Sequence, residues 1–209
     1  MNLRRRVLTV LSALPVASVF PGMLQAQTAS LKATPPDSLG PFYPPKLNGE
    51  IDADLILFGN SSYADGTPLM ITGVVRGTDG KALASAQVEI WQTDNTGKYR
   101  HPNDDGEGPA RRGFQGFSRT LTDTEGRYRF RTIKPVLYSG RPPHVHFRVV
   151  ANGRKALVTQ MYFADDNKER SGIFGLSDER DRLTVTPTAL KDGERDGIAV
   201  RFDLVLISA

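Results

Sequence analysis

No cysteine occurs in the 209 residues, which excludes disulfides, thiolate metal sites and iron–sulfur clusters together. Histidine is nearly as scarce, with His101, His144 and His146 the complete set. Internal repeats, low-complexity tracts and basic stripes are also missing. The one long apolar run, residues 7–19, is too short for a bilayer span, so no stable membrane span is expected. It follows a short basic segment and precedes Leu24-Gln25-Ala26, which has the small-residue ending of a cleavage site. Residues 1–26 are therefore expected to be an export signal, which places the protein in the periplasm or outside the cell. Arg4-Arg5-Arg6-Val7-Leu8 resembles the twin-arginine type, used for folded, cofactor-loaded proteins, with general secretion as the other route. Removing this segment takes away three arginines and no acid, so the formal charge falls from +4 to +1. The basic balance of the full chain thus gives no support to a nucleic-acid partner.

What remains is the length of one ordinary domain, and 39% apolar residues are enough to give it a core. Its 20 glycines and 14 prolines punctuate short apolar runs, a pattern of many strands and turns. Residues 27–64 read as an extended arm, rich in Pro, Ser and Thr over 29–45, and residues 65–209 as the domain proper. Strands are expected at 70–76, at 87–92 with Val88, Ile90 and Gln92 on one face, and on both sides of the turn at 122–126. Two more are expected at 144–150 and 156–163, joined by Asn152-Gly153, and one long strand at 198–207 closes the chain. Residues 165–181 lack strand pattern and read as a loop with a helical turn. Seven or more short strands predict an all-β fold, a β-sandwich.

Two of the three histidines form His144-Val145-His146. Side chains alternate along a strand, so both imidazoles share one face and Val145 points into the apolar layer. Such a pair is either half of a metal site or a polar sheet face. Tyr138 lies six residues before His144, and Tyr99 lies at a strand end in Gly97-Lys98-Tyr99-Arg100-His101. Either tyrosine alone could simply cap a sandwich strand. If the four converge, their chemistry selects the metal. A phenol with a pKa of about 10 stays deprotonated only beside a strong Lewis acid, and a phenolate favours a hard, highly charged ion such as Fe(III). Structural zinc takes Cys or His instead.

With these motifs in view, the sequence resembles the intradiol ring-cleavage dioxygenases, most closely their protocatechuate 3,4-dioxygenase branch. The similar stretch runs from Asp37 to Phe163 and includes Gly40-Pro41-Phe42-Tyr43, Val88-Glu89-Ile90-Trp91-Gln92-Thr93-Asp94 and Phe114-Gln115-Gly116-Phe117. Its strongest part runs from Arg129 through Tyr138 to Arg141-Pro142-Pro143-His144-Val145-His146-Phe147, followed by Thr159-Gln160-Met161-Tyr162-Phe163. The resemblance implies a transthyretin-like β-sandwich and a non-haem Fe(III) cofactor. It implies Tyr99 and His144 as equatorial ligands and Tyr138 and His146 as axial ones. A catechol-type substrate would chelate the iron and displace Tyr138, which would help take up a substrate proton. With O2, the ring would open between the hydroxylated carbons to a cis,cis-muconate. Arg141 matches the family's active-site arginine, which steadies charge moving onto the ring; without the motif it would read as a surface arginine in a turn. Gln160 matches a glutamine that orients a ligand, and otherwise reads as a polar strand residue. Trp91 is assigned to the core, His101 to the mouth of the site or to the groups around the ligands, and residues 40–43 to a pocket wall. An oligomer of unassigned type is expected.

The sequence also departs from that pattern. No stretch matches the long N-terminal helical segment of catechol 1,2-dioxygenases. The linker from Tyr138 to Arg141 is shorter than in the iron-bearing chain of two-chain protocatechuate enzymes, and an export signal is unusual for cytosolic catabolic enzymes. The main rival is a transthyretin-like binding or structural module without catalysis, which Gly73-Val74-Val75, Asp79-Gly80 and residues 122–128 also resemble. Such a module leaves Tyr99, Arg141 and the histidine pair unexplained. A zinc or copper hydrolase-like site would need a carboxylate base beside the ligands, and none is evident.

Overall fold

The computed structural model describes residues 30–45, 52–58, 61–104, 113–169 and 178–209. The expected export signal lies outside the described residues. Twelve strands are assigned among them: β1 (Leu57–Phe58), β2 (Ser61–Ser62), β3 (Pro68–Gly77), β4 (Gln87–Trp91), β5 (Phe117–Leu121), β6 (Arg127–Ile133), β7 (His144–Val150), β8 (Leu157–Phe163), β9 (Thr184–Val185), β10 (Thr188–Asp192), β11 (Arg195–Arg201) and β12 (Leu204–Leu206). Strands β1 and β2 form a small hairpin, and Leu55, Ile56 and Tyr63 beside it are buried in the main core, so this part of the expected extended arm packs as part of the sandwich. Ala164–Glu169 is a 3-10 turn and Asp178–Asp181 a single α-helical turn, α1.

The other strands make the expected sandwich of two sheets. In the first, β3 pairs antiparallel with β6 on one side and parallel with β11 and β12 on the other, while β10 pairs with β11. The second has the order β5-β4-β7-β8-β9. Alternation sends Ile71, Phe130 and Val200 from the first sheet, and Val88, Ile90, Val145, Phe147 and Met161 from the second, into one buried layer between them. Val145 is fully buried there, as its place between two histidines requires.

Two expectations change. The single strand read at 198–207 is two strands in one register, broken at Phe202-Asp203. At the break the Val74 N–H donates to the Asp203 carboxylate (2.9 Å) rather than to a main-chain carbonyl. Strand β4 ends at Trp91, so Gln92 lies just beyond it. There Gln92 is fully buried, donates to the Ile133 carbonyl (2.9 Å) and accepts from Thr132 (3.0 Å), which ties the two sheets together. Pairing of β10 with β11 was not read from the sequence, because its burial is weak and its apolar alternation poor.

Residues 30–45 form no regular element, and they run along the sandwich and across its second sheet. Leu31 and Thr34 bond to the carbonyls of Thr78 and Val205, and Asp37 bonds to that of Val158 on β8. Beyond Asp37 the arm lies over the outer face of the second sheet, where the site is built.

Candidate metal centre

Cross-strand register assembles the floor of the site. One row across the second sheet reads Phe117, Trp91, His146 and Gln160, contributed by β5, β4, β7 and β8 in turn. The next row pairs His144 with Tyr162. These residues face away from the sandwich core, yet the histidines, Trp91, Gln160 and Tyr162 are each at most 3% exposed. The arm and two loops provide the cover.

The loop after β4 supplies Tyr99. Its turn is shaped by the buried Asp94 carboxylate, which accepts from the backbone N–H of Thr96 (2.8 Å) and Lys98 (3.1 Å). The Asp104 carboxylate accepts from the Tyr99 N–H. The Tyr99 phenol then reaches 3.1 Å from His146 Nε2 and 3.3 Å from His144 Nε2. The loop before β7 supplies Tyr138 and Arg141, which bracket Ser139-Gly140 in a two-residue turn closed by backbone bonds of 3.1 and 2.7 Å. Both central residues have positive φ (44° and 74°), the type I′ geometry, so the short linker holds Tyr138 and Arg141 side by side. The Tyr138 ring meets Tyr99 edge-on at 5.4 Å. Tyr99 is 3% exposed, whereas Tyr138 is only half-buried.

The structure thus brings together Tyr99, Tyr138, His144 and His146, with Arg141 and Gln160 beside them. Arg141 Nη2 donates to Gln160 Oε1 (2.7 Å), and Gln160 Nε2 donates to the Ser38 carbonyl (2.7 Å). Arm residues 40–43 lie against this cluster. Phe42 stacks on Tyr99 at 4.6 Å and meets Tyr138 and His101 edge-on. Gly40 sits against His146 with φ of 70°, and a Cβ there would lie 3.1 Å from His146 Cε1. His101 is partly exposed and meets only the outer edge of this cluster, at Phe42.

Three features escaped the sequence reading. Trp91 is buried but outside the sandwich core; it stacks on His146 at 4.8 Å and 7°. Its position one residue after Ile90 placed it on the outer face, and the alternation could have shown this. Tyr162, two residues after Gln160, shares that face by the same logic; its hydroxyl lies 2.9 Å from both Gln160 Oε1 and Asp37 Oδ2. Arg180 on α1 covers the Tyr162 ring at 4.7 Å, a long-range contact that no local pattern announces.

Burial governs the electrostatics. It lowers His144 to about 4, with Arg141 adding to the effect and the Pro142 carbonyl opposing it. It lowers His146 to about 2, helped by His144 and Arg141 and weakly opposed by the Ser38 backbone. Both rings are therefore neutral near pH 7. His144 Nδ1 donates to the Pro142 carbonyl (2.7 Å), which leaves its Nε2 lone pair facing Tyr99. Burial pushes the Tyr99 phenol well up, against the pull of Arg141. Two imidazole Nε2 atoms, that of His144 unprotonated, and one phenol thus converge on a point, and the phenol would ionise only if a cation joined them. Among the described residues no three or more His, Asp or Glu side chains are grouped so as to hold a metal. The set of imidazoles and phenol fits a hard, highly charged ion.

Residues 39–208 match the family model described as Dioxygenase. The protocatechuate 3,4-dioxygenase beta chain of Burkholderia cepacia is 36% identical over 186 residues, covering 81% of this chain and 77% of the relative. Hydroxyquinol 1,2-dioxygenase of Rhodococcus opacus is 30% identical over 203 residues, covering 83% of this chain and 64% of the relative. Catechol 1,2-dioxygenase of Acinetobacter baylyi is 32% identical, and the match spans 51% of its length. Among solved structures, the dioxygenase domain of a dioxygenase–carbohydrate-binding fusion from Streptomyces sp. SirexAA-E superposes with a TM-score of 0.65 at 28% identity. That match covers 85% of this chain and 100% of that domain.

Proposed function

This chain belongs to the intradiol ring-cleavage dioxygenase family, and from that premise we propose that it opens catechol-type rings with O2 at a ferric ion held by Tyr99, Tyr138, His144 and His146. The observation that carries the proposal is the convergence of the Tyr99 hydroxyl on both histidine Nε2 atoms, within 3.1 and 3.3 Å, in a buried cluster beside Arg141. The family match favours this reading over a transthyretin-like module, which has no use for such a cluster.

A ferric ion bound there would keep the phenols ionised and allow O2 to react with a closed-shell ring. The chain's own residues divide the remaining tasks. Tyr99, stacked under Phe42 and fully enclosed, is the permanent phenolate partner. Tyr138, half-exposed on its turn, has room to swing away and accept a substrate hydroxyl proton at its phenolic oxygen. Gln160 grips one guanidinium nitrogen of Arg141, and that cation is felt at Tyr99, His144 and His146 alike. Held there, Arg141 steadies negative charge that develops on the ring. Phe42 and Trp91 enclose the site and exclude water.

Oxygen uptake by the iron-loaded protein against a panel of catechols, with product identification, tests the reading. Ring-opened cis,cis-muconates are expected, and iron-loaded protein inert toward the whole panel contradicts it. Export belongs to the same proposal, supported by Arg4-Arg5-Arg6 ahead of an apolar run. Lysines at those three positions should hold the protein in the cytoplasm; unimpaired export would point to general secretion. Among the described residues no helix is long and apolar enough to cross a membrane.

A further inference from the structure

The two histidines at the site are held in different ways. His144 donates its Nδ1–H to the Pro142 carbonyl, the arrangement by which metal-binding imidazoles are usually aimed. His146 is held otherwise: its buried Nδ1 makes no hydrogen bond among the described residues, and of the backbone only that of Ser38 lies close enough to bear on its charge. A parallel ring lies against it instead. Trp91, its direct cross-strand partner, stacks on the imidazole at 4.8 Å with the planes 7° apart. Gly40 closes in at the Cε1 edge, where a Cβ would already be tight.

Trp91 is itself anchored. Tyr43 meets the indole edge-on at 5.0 Å, and the Tyr43 hydroxyl donates to Glu89 (2.9 Å), a buried carboxylate on the same face of β4. Glu89 also accepts from Arg148 (3.0 Å) and Gln87 (2.8 Å), so the anchor is firmly fixed. The indole Nε1 is buried and has no hydrogen-bond partner among the described residues. The position therefore uses the flat face of the ring and not its N–H.

We propose that Trp91 is the positioning residue for His146. Its indole face fixes the imidazole plane so that Nε2 points at the metal, replacing the hydrogen bond that does this for His144. The inference rests on the iron site proposed above, but the two can fail separately. It also makes the sole tryptophan of the chain a reporter of that site, one ring away from the metal.

The test compares iron-loaded wild type with Trp91→Phe, Trp91→Leu and Ile90→Val, the last on the opposite, core-facing side of the same strand. Iron release to a chelator and the melting temperature of the metal-free form are measured for each. Trp91→Leu should lose iron about 10–100-fold more readily, the usual cost of removing a group that aims a metal ligand. Trp91→Phe keeps a flat ring and should restore most of that retention, while Ile90→Val should lower the melting temperature without changing iron release. In wild type, iron removal should raise tryptophan emission, a readout that does not depend on any variant folding. Wild type that never binds iron would sink the site reading itself. Wild type that binds iron while Trp91→Leu retains it equally well, Trp91→Phe failing as badly as Trp91→Leu, or emission blind to the metal would each overturn the positioning role.

Discussion

On the outer face of the first sheet, alternate residues of β6 are Arg127, Arg129 and Arg131, with Arg201 two strands away on β11. Arg127, Arg129 and Arg201 are exposed, and Arg127 and Arg201 pair with nearby acids at the surface. On the outer face of the second sheet, the same alternation presents Trp91, His144, His146, Gln160 and Tyr162, all nearly inaccessible. The pleat treats both faces alike; the arm does not. By crossing only the second face, residues 37–43 turn polar side chains that water would otherwise solvate into a dry cluster with shifted acidities. A chemically active face here consists of an ordinary sheet face plus a cover.

The sharpest way to break the comparison is to remove a donor from the covered face. Tyr99→Phe should lose most bound iron and its phenolate colour, whereas Tyr138→Phe should keep more iron and turn over slowly. Iron content and absorption spectra decide this, and full activity in Tyr138→Phe would refute its role as the departing base. Arg141→Ala should keep iron and colour but lose roughly 2–4 kcal/mol of transition-state stabilisation, read from kcat/KM. Loss of metal in that variant would recast Arg141 as support for the β7 strand.

A smaller effect concerns pH. Burial lowers both His144, to about 4, and His146, to about 2, so the unfolded chain takes up protons first as pH falls below the ordinary value of 6.5. The metal-free protein should therefore lose stability between pH 6.5 and 5, on the order of 3 kcal/mol for the two rings together. A His144→Gln and His146→Gln double variant should flatten that slope in thermal melts; an unchanged slope would show that other groups cause it. The smallest effect belongs to the uncovered face. Arg201→Ala breaks an exposed pair with Asp203 and should change stability by no more than about 0.5 kcal/mol, with turnover unaffected.

Much of this was legible in the residues. The period of two around Val145 fixed which way His144 and His146 point, and the strand at 144–150 has the bounds expected. The likeness to a known family joined Tyr99 and Tyr138 to that pair, which spacing alone could not do. Less legible were features that depend on partners distant in sequence. The parallel pairing of β3 with β11 and β12 leaves no local mark, and neither does the Asp203 carboxylate that interrupts the last strand. Trp91 is as buried as the core reading expects, but its parity on β4 puts it on the outer face beside His146 and not between the sheets. Asp37 and Arg180 meet at Tyr162 from opposite ends of the chain, a contact set by tertiary packing.

The central claim is that the covered face holds iron through two phenols and two imidazoles. Metal analysis and the visible spectrum of matured protein, before and after Tyr99→Phe, address it most directly. Iron stoichiometric with the chain and a phenolate-to-ferric charge-transfer band are expected, both largely lost in the variant. Zinc or no metal in properly matured wild type, or a band and iron content untouched by Tyr99→Phe, would contradict it.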